Sequence, residues 1–347
     1  QFQHLYENRL QYRLYAWIEW IHLFIHFLWW WMLVQQIGFD KMAEVECGKG
    51  VKLVPAIHVF QETKDTKEAK ILIDELRAEI RAHTEDQELA DFFKSPHLST
   101  PPGDPNGLLT DSCLWRFLVA NGKKVKVARK QVKEMMLWRK KRTPHTIRAT
   151  EIEHQAVTGK VAIRGLDKYK RPVVVLDNSK ENTKDLDGQM RFLAWSLERS
   201  QRCMMDGVEK QVVFIHLAEF SMMNTPPMAA TKETIHMLQT CFAETLGHAV
   251  LYQCGYVFKM FFEGLKMLID PKTASKIITI TGDVSANSPN DSLMRNLIGD
   301  NWKELTGAEQ KKLKKNISPG YNHEEHWKKV VEEEEAYFKQ VAAHQQN

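Results

Sequence analysis

Cysteine is scarce and its spacing forms no motif: Cys47, Cys113, Cys203, Cys241 and Cys254 are scattered through 347 residues without a C-x-x-C pair. That excludes a disulfide-framed fold and a zinc ribbon, and points to a reducing compartment. Excess charge is also lacking, since 48 basic residues against 44 acidic ones leave a net +4. A nucleic-acid binder would carry a far stronger basic bias. The glycines form no G-x-G-x-x-G, no G-x-x-x-x-G-K-[ST] and no G-x-S-x-G; Gly48 and Gly50 stand together with no third glycine and no strand before them. Nucleotide and hydrolase readings therefore lose their usual support. His323-Glu324-Glu325-His326 has the wrong spacing for a zincin, and the helical pair His22 and His26 has no third ligand. No metal, cofactor or catalytic residue is expected.

Apolar residues make up 43% of the chain, enough for a full core. Their distribution is uneven. Residues 15–34, YAWIEWIHLFIHFLWWWMLV, are long and apolar enough to span a bilayer, while Glu19, His22 and His26 share one helical face and equally suit an interfacial helix. Residues 1–41 are thus either sequence upstream of the working protein or an N-terminal membrane anchor.

Helical periodicity holds from Ala69 to Phe93, and a Pro/Gly loop follows from Ser95 to Gly107. A second helical block starts at Asp111, turns at Asn121-Gly122, and runs on to Trp138-Arg139. Between Lys123 and Arg142 there are ten basic residues and one acid, Glu134. Such a run is either a solvated face or an attraction to anionic membrane.

After Ile147 the pattern alternates. Short β-branched runs at 172–176, 211–217, 248–253 and 277–281 are separated by helical stretches, one through Met190 and Leu197, another entered at Asn224-Thr225-Pro226-Pro227. This predicts an α/β fold with a mainly parallel sheet and helices packed on it. One helix is unusual: in residues 256–269, YVFKMFFEGLKMLI, Lys259, Glu263 and Lys266 leave only a narrow polar stripe. It is either a central core helix or a lid over an apolar ligand. Asp270 and Pro271 then form a helix start, and Lys276 ends that short helix just before a strand.

Three segments together resemble the CRAL-TRIO lipid-binding domain of secretory-pathway phosphatidylinositol transfer proteins: LWRFLVANGKKVKVARKQVKEMMLWRK (114–140), LDKYKRPVVVLD (166–177) and FAETLGHAVLYQCGYVFKMFFEGLKMLIDPKTASKI (242–277). The resemblance covers roughly residues 70–307. It implies a helical subdomain at 66–146 and a lipid-binding domain at 147–310 with a β-sheet floor and helical walls; beyond the resemblance, the charge of 311–347 reads as a solvated helical tail. The resemblance also implies a gate helix and pocket using Tyr256, Phe258, Met260, Phe261, Phe262, Leu265 and Leu268, with Glu244 and Lys276 serving an inositol phosphate headgroup. The expected function is uptake of one lipid, phosphatidylinositol or another hydrophobic molecule, and its transfer between membranes. The alternative is a lipid-sensing module that regulates a partner protein. A monomer is expected, working at the cytosolic face of membranes through transient, peripheral contact, with no nucleic-acid partner.

Three departures from the family pattern stand out. Lys170 occupies the glycine of the family's Asp-x-x-Gly-Arg-Pro turn, and Ala243-Glu244-Thr245 replaces Pro-Glu-Arg. Gln211 and Val213 stand about where some members carry small hydroxyl residues for phosphatidylcholine.

Overall fold

A computed structural model describes residues 66–345 except 84–90, 92, 100–101, 205–206, 224 and 309–316. The expectations for residues 1–41, and for most of the first helix beyond His83, lie outside the described residues.

The helical part begins with α1 (Thr66–His83). Ala69, Ile73, Leu76 and Ile80 fall at steps of four and three, and all are buried. Helix α2 (Asp111–Ala120) is capped by Thr110, whose side chain accepts from the Cys113 amide at 3.1 Å. Helix α3 (Val125–Arg142) turns Val125, Ala128, Val132, Met135 and Met136 inward. These three helices share one apolar cluster with Ala194, Leu197, Met237 and Phe242 from the following region. The buried ion pair of Arg139 with Glu198 reinforces that junction.

Helix α4 (Ala149–Ala156) leads into a five-stranded sheet ordered β1 (Val161–Leu166), β2 (Pro172–Leu176), β3 (Gln211–His216), β4 (Leu246–Tyr252) and β5 (Ile277–Ile280). β1 pairs antiparallel with β2, and every later pair is parallel. Parallel neighbours need crossover connections, here supplied by α5 (Leu186–Arg202), α6 (Met228–His236), and α7 (Tyr256–Leu265) with the short α8 (Pro271–Ala274). The alternation read from the sequence accounts for β2 to β5. It misses β1, whose VAIRGL carries Arg164 and a Gly165 with φ 145° next to a register shift, so its apolar period is broken.

One face of the sheet is closed. Val173, Val175, Val212, Phe214, Val250, Tyr252, Ile278 and Ile280 pack against Met294, Leu297, Ile298 and Trp302 from α9 (Pro289–Leu297) and α10 (Trp302–Thr306). The last helix, α11 (His323–Gln345), corrects the expectation of a solvated tail: Trp327, Val330 and Val341 are buried. Glu334 accepts from the Trp195 indole at 3.0 Å and from the Ala149 amide at 2.7 Å, so part of the acidic run is spent on docking. The charged composition hid a narrow apolar stripe, with Trp327 and Val330 three positions apart.

Candidate functional site

The candidate site lies on the other, less completely covered face of the sheet. Along β3, buried Val212 and Phe214 alternate with half-buried Val213 and Ile215, and in β5 half-buried Ile277 precedes buried Ile278. The period of two sends one set into the closed core and the other toward α7. There Leu217, Leu251, Cys254 and Phe258 form a cluster, with Ile215, Phe220, Phe261, Phe262 and Ile277 packed against it. Phe258 stacks on Phe262 at 5.7 Å between centroids and meets Phe220 edge-on at 5.1 Å.

The segment read as one helix over 256–269 is α7 followed by a 3-10 turn at Lys266–Leu268. Its expected apolar residues divide. Phe258 and Leu265 are buried, and Met260, Phe261 and Phe262 are half-buried. Tyr256 at 60% exposure, Leu268 at 37% and Met267 at 93% face outward. The element is therefore neither a core helix buried all round nor a free one: one side lies on the apolar floor and the other presents large apolar side chains to solvent.

The connection from β4 to the parallel β5 must carry the chain back from the carboxyl end of one strand to the amino end of the next. Helix α7 makes that return, and it ends where charged residues gather. Lys210 directly precedes β3, Glu244 lies two residues before β4, and Lys276 directly precedes β5. Three neighbouring parallel strands thus bring these residues to one edge. Lys276 Nζ lies 3.3 Å from Glu244 Oε2, Lys210 Nζ lies 3.3 Å from the same oxygen, and Lys272 Nζ lies 2.5 Å from Oε1. Lys210 also donates to the Glu244 carbonyl oxygen. The two residues expected to serve a headgroup, Glu244 and Lys276, do meet. Lys272 and Lys210 join them; the first lay unremarked in the matched segment, and the second is 34 positions from Glu244, beyond any local spacing signal.

Local geometry aims the carboxylate. Glu244 has a left-handed backbone with φ 58°, unusual for a residue with a Cβ. Thr245 holds the turn by donating its hydroxyl to the Phe242 carbonyl at 2.8 Å. Asp270 caps α8 by accepting from the Thr273 amide at 2.9 Å, fixing the helix that carries Lys272.

Three lysines face one carboxylate, so the cluster has an unbalanced positive charge while Lys210, Lys276 and Glu244 are each less than a tenth exposed. Burial pushes the Glu244 carboxyl up, but the hydrogen bond from Lys272 and the charges of Lys276 and Lys210 outweigh it and bring the pKa to about 2. Burial depresses Lys210 to about 8, against the upward pull of Glu244, and the Lys276 charge lowers it further. An anion placed here would meet partly desolvated ammonium groups, where charge-assisted hydrogen bonds are strongest.

Gln211 and Val213 offer no hydroxyl. Gln211 is buried with its amide oxygen accepting from Ser200 Oγ at 2.5 Å. A cleft of about 1420 Å³ opens elsewhere, lined by Arg116, Glu209, Arg164, Arg199, His326 and Tyr337 among others. No residue of 256–269 lines it, although Thr245 beside Glu244 does. Among the described residues no His, Cys, Asp and Glu group is placed to hold a metal ion, and no helix is long and apolar enough to cross a membrane.

The turn that departs from the family pattern is ordered by a buried ion pair. Arg171 Nε donates to Asp167 Oδ2 at 2.7 Å, and Asp167 Oδ1 accepts from the amides of Tyr169 and Arg171. Arg171 reaches on to the Leu297 carbonyl at 2.8 Å, tying the turn to α9. Lys170, in the glycine's place, takes the left-handed φ of 61° that glycine would take freely.

Comparison with known proteins places these features in a family. A CRAL-TRIO domain-containing protein of Schizosaccharomyces pombe is 30% identical over 224 residues, covering 65% of this chain and 20% of that protein. The phosphatidylinositol transfer protein PDR17 of Saccharomyces cerevisiae is 25% identical over 182 residues, covering 49% of this chain and 52% of its own length. The chain thus spans between a fifth and about half of these curated relatives. The crystal structure of Sfh5 shares the fold, with a TM-score of 0.55 at 14% identity over 78% of this chain and 99% of that one. The family model for the CRAL/TRIO domain matches residues 156–298, which hold the sheet, α7 and the Glu244 cluster, so this part of the chain is a CRAL/TRIO domain.

Proposed function

We propose that the chain binds a single lipid, phosphatidylinositol, over the less covered face of the sheet and transfers or presents it between membranes, without catalysis. The acyl chains lie on the apolar floor under α7, and the inositol phosphate sits among Lys210, Lys272, Lys276 and Glu244. In this reading 66–146 is the helical subdomain, 147–310 the lipid-binding domain, and the chain works as a monomer at the cytosolic face of membranes. The observation that carries it is the meeting of Glu244 and Lys276 at 3.3 Å, with two further lysines, at the end of α7 and at the edge of the apolar floor. A structural ion pair needs one partner; a surplus of buried ammonium groups suits a phosphate, while the carboxylate accepts from inositol hydroxyls.

Mass spectrometry of lipid co-purifying with the chain, and loading of phosphatidylinositol beside a neutral lipid, test it. Lys276→Ala should lower phosphatidylinositol loading about ten- to a hundredfold, a charge-assisted hydrogen bond's worth, and leave the neutral lipid unaffected. Equal losses for both lipids, or none, would leave only an apolar-ligand site and favour the lipid-sensing module. For the gate, Met267→Asp should slow exchange with vesicles at an unchanged thermal midpoint, because its side chain is almost wholly exposed. Phe258→Ala should instead cost about 3 kcal/mol of stability, since that ring anchors the helix on the floor.

A further inference from the structure

Helix α3 packs its inner face on the helical core, and its outer face has a composition that packing does not explain. Lys126, Lys130, Lys133, Leu137 and Lys141 recur at steps of three and four, and so form one stripe about 22 Å long. Lys126, Lys130 and Lys141 are exposed and Lys133 is half-buried. Leu137 is 48% exposed in the middle of the stripe, and Val127 beside its start is 46% exposed.

The acids near this helix are committed to other groups. Glu79 faces Arg129 at 3.5 Å, Glu134 faces His236 at 3.3 Å, Glu198 holds Arg139, and Asp187 with Glu233 hold Arg142. The arginines absorb the other acids, Glu134 is set against the His236 ring, and Lys126, Lys130, Lys133 and Lys141 have no ion-pair partner among the described residues. A face designed only for solubility mixes both signs and avoids exposed leucine. This one sets four lysines against the helix's one acid, Glu134, and interleaves apolar side chains with the lysines.

The flank of α3 beside the stripe is linked to the candidate site by hydrogen bonds. Gln131, on the flank of α3, donates to the Gln239 carbonyl at 2.9 Å, and Gln239 donates to Asp270 at 3.3 Å. Asp270 caps the helix that carries Lys272.

We propose that the outer face of α3 is a docking surface for anionic lipid bilayers, with Lys126, Lys130, Lys133 and Lys141 meeting the negative headgroup layer and Leu137 and Val127 entering its edge. This rests on the lipid-transfer reading and adds to it a selection of membrane: the chain engages anionic membranes in preference to neutral ones, at a surface separate from the lipid it carries. A charged bilayer attracts each basic residue close to its surface, and a stripe of four sums these weak attractions while remaining reversible and salt-sensitive.

The test is sedimentation of the full chain with phosphatidylcholine vesicles and with vesicles containing phosphatidylserine, at low and high ionic strength. The wild-type chain should bind the phosphatidylserine vesicles, and high salt should release it. The combined variant Lys126→Gln, Lys130→Gln, Lys133→Gln, Lys141→Gln should lose at least about tenfold in that binding, with unchanged thermal midpoint and unchanged loading of phosphatidylinositol. The corresponding four Lys→Arg changes should retain it, and Leu137→Asp should weaken it. Free inositol phosphate should not compete, because no enclosed headgroup pocket is involved on this face. Wild-type binding that ignores phosphatidylserine, a glutamine variant that binds as the wild type does, or a stripe that binds RNA but no vesicle would overturn the proposal. A chain that carries no lipid yet still binds anionic vesicles through these lysines would refute the transfer reading alone.

Discussion

Two charged turns of this protein look alike in sequence and behave as opposites. Each places a residue with a Cβ in the left-handed region, Lys170 at φ 61° and Glu244 at φ 58°, and each lies beside a buried ion pair. At the first, one arginine meets one carboxylate, both almost fully enclosed, and every strong donor and acceptor named there is satisfied within the chain. At the second, one carboxylate meets three lysines and the charge does not close. Balanced charge in the interior locks a fold; the surplus positive charge at the edge of the apolar floor is the feature on which the proposed headgroup site rests. The contrast separates a closed ion pair from one that keeps a surplus of positive charge.

The contrast can be broken first at the lock. Arg171→Ala leaves the Asp167 carboxylate buried without its partner and should cost about 3 to 5 kcal/mol, read as a lower urea midpoint. A loss below about 1 kcal/mol would mean that the turn is not the structural partner in this pair.

Acid should distinguish the two next. Because the folded-state pKa of Glu244 is about 2, below its ordinary 4.5, the stabilisation it brings is complete above pH 4.5 and is lost as pH falls toward 2. The expected loss is about 2 to 3 kcal/mol. Glu244→Gln should flatten that part of the stability profile, and an unaltered slope would show that the carboxylate is not held by its lysines. On the alkaline side, Lys210 gives up its charge as pH rises through about 8, so phosphatidylinositol loading should weaken there while loading of a neutral lipid stays level.

The smallest effect sharpens the likeness between the turns. Lys170→Gly relieves a left-handed strain of about 1 kcal/mol and returns part of it as unfolded-chain entropy, so stability should rise by about 0.5 kcal/mol. A decrease would show that the lysine side chain contributes contacts that outweigh its backbone strain.

Much of the frame was legible in the order of residues. The apolar runs of β2 to β5 are fully or half covered strands, and their period of two is written in PVVVL and QVVFIH. Asp270-Pro271 announces α8 because capping is a matter of adjacent residues. The motif around Glu244 and Lys276 pointed to two members of the charged cluster. Strand β1 escaped notice since its glycine and arginine break the period, and the docking of α11 escaped because buried residues three positions apart were hidden among charges.

Local pattern therefore determined which segments are helix or strand, where they start, and which family they resemble, because propensity, capping and period act over a few neighbouring positions. Tertiary structure alone decided that Lys210 stands beside Glu244, that Tyr256 and Met267 face outward while Phe258 faces the floor, and that four lysines of α3 have no acid partner among the described residues. Those facts depend on which strand ends become neighbours and which side of a helix is covered. Both are set by packing between segments far apart in the chain, where charge and exposure belong to the assembled surface rather than to any stretch of sequence.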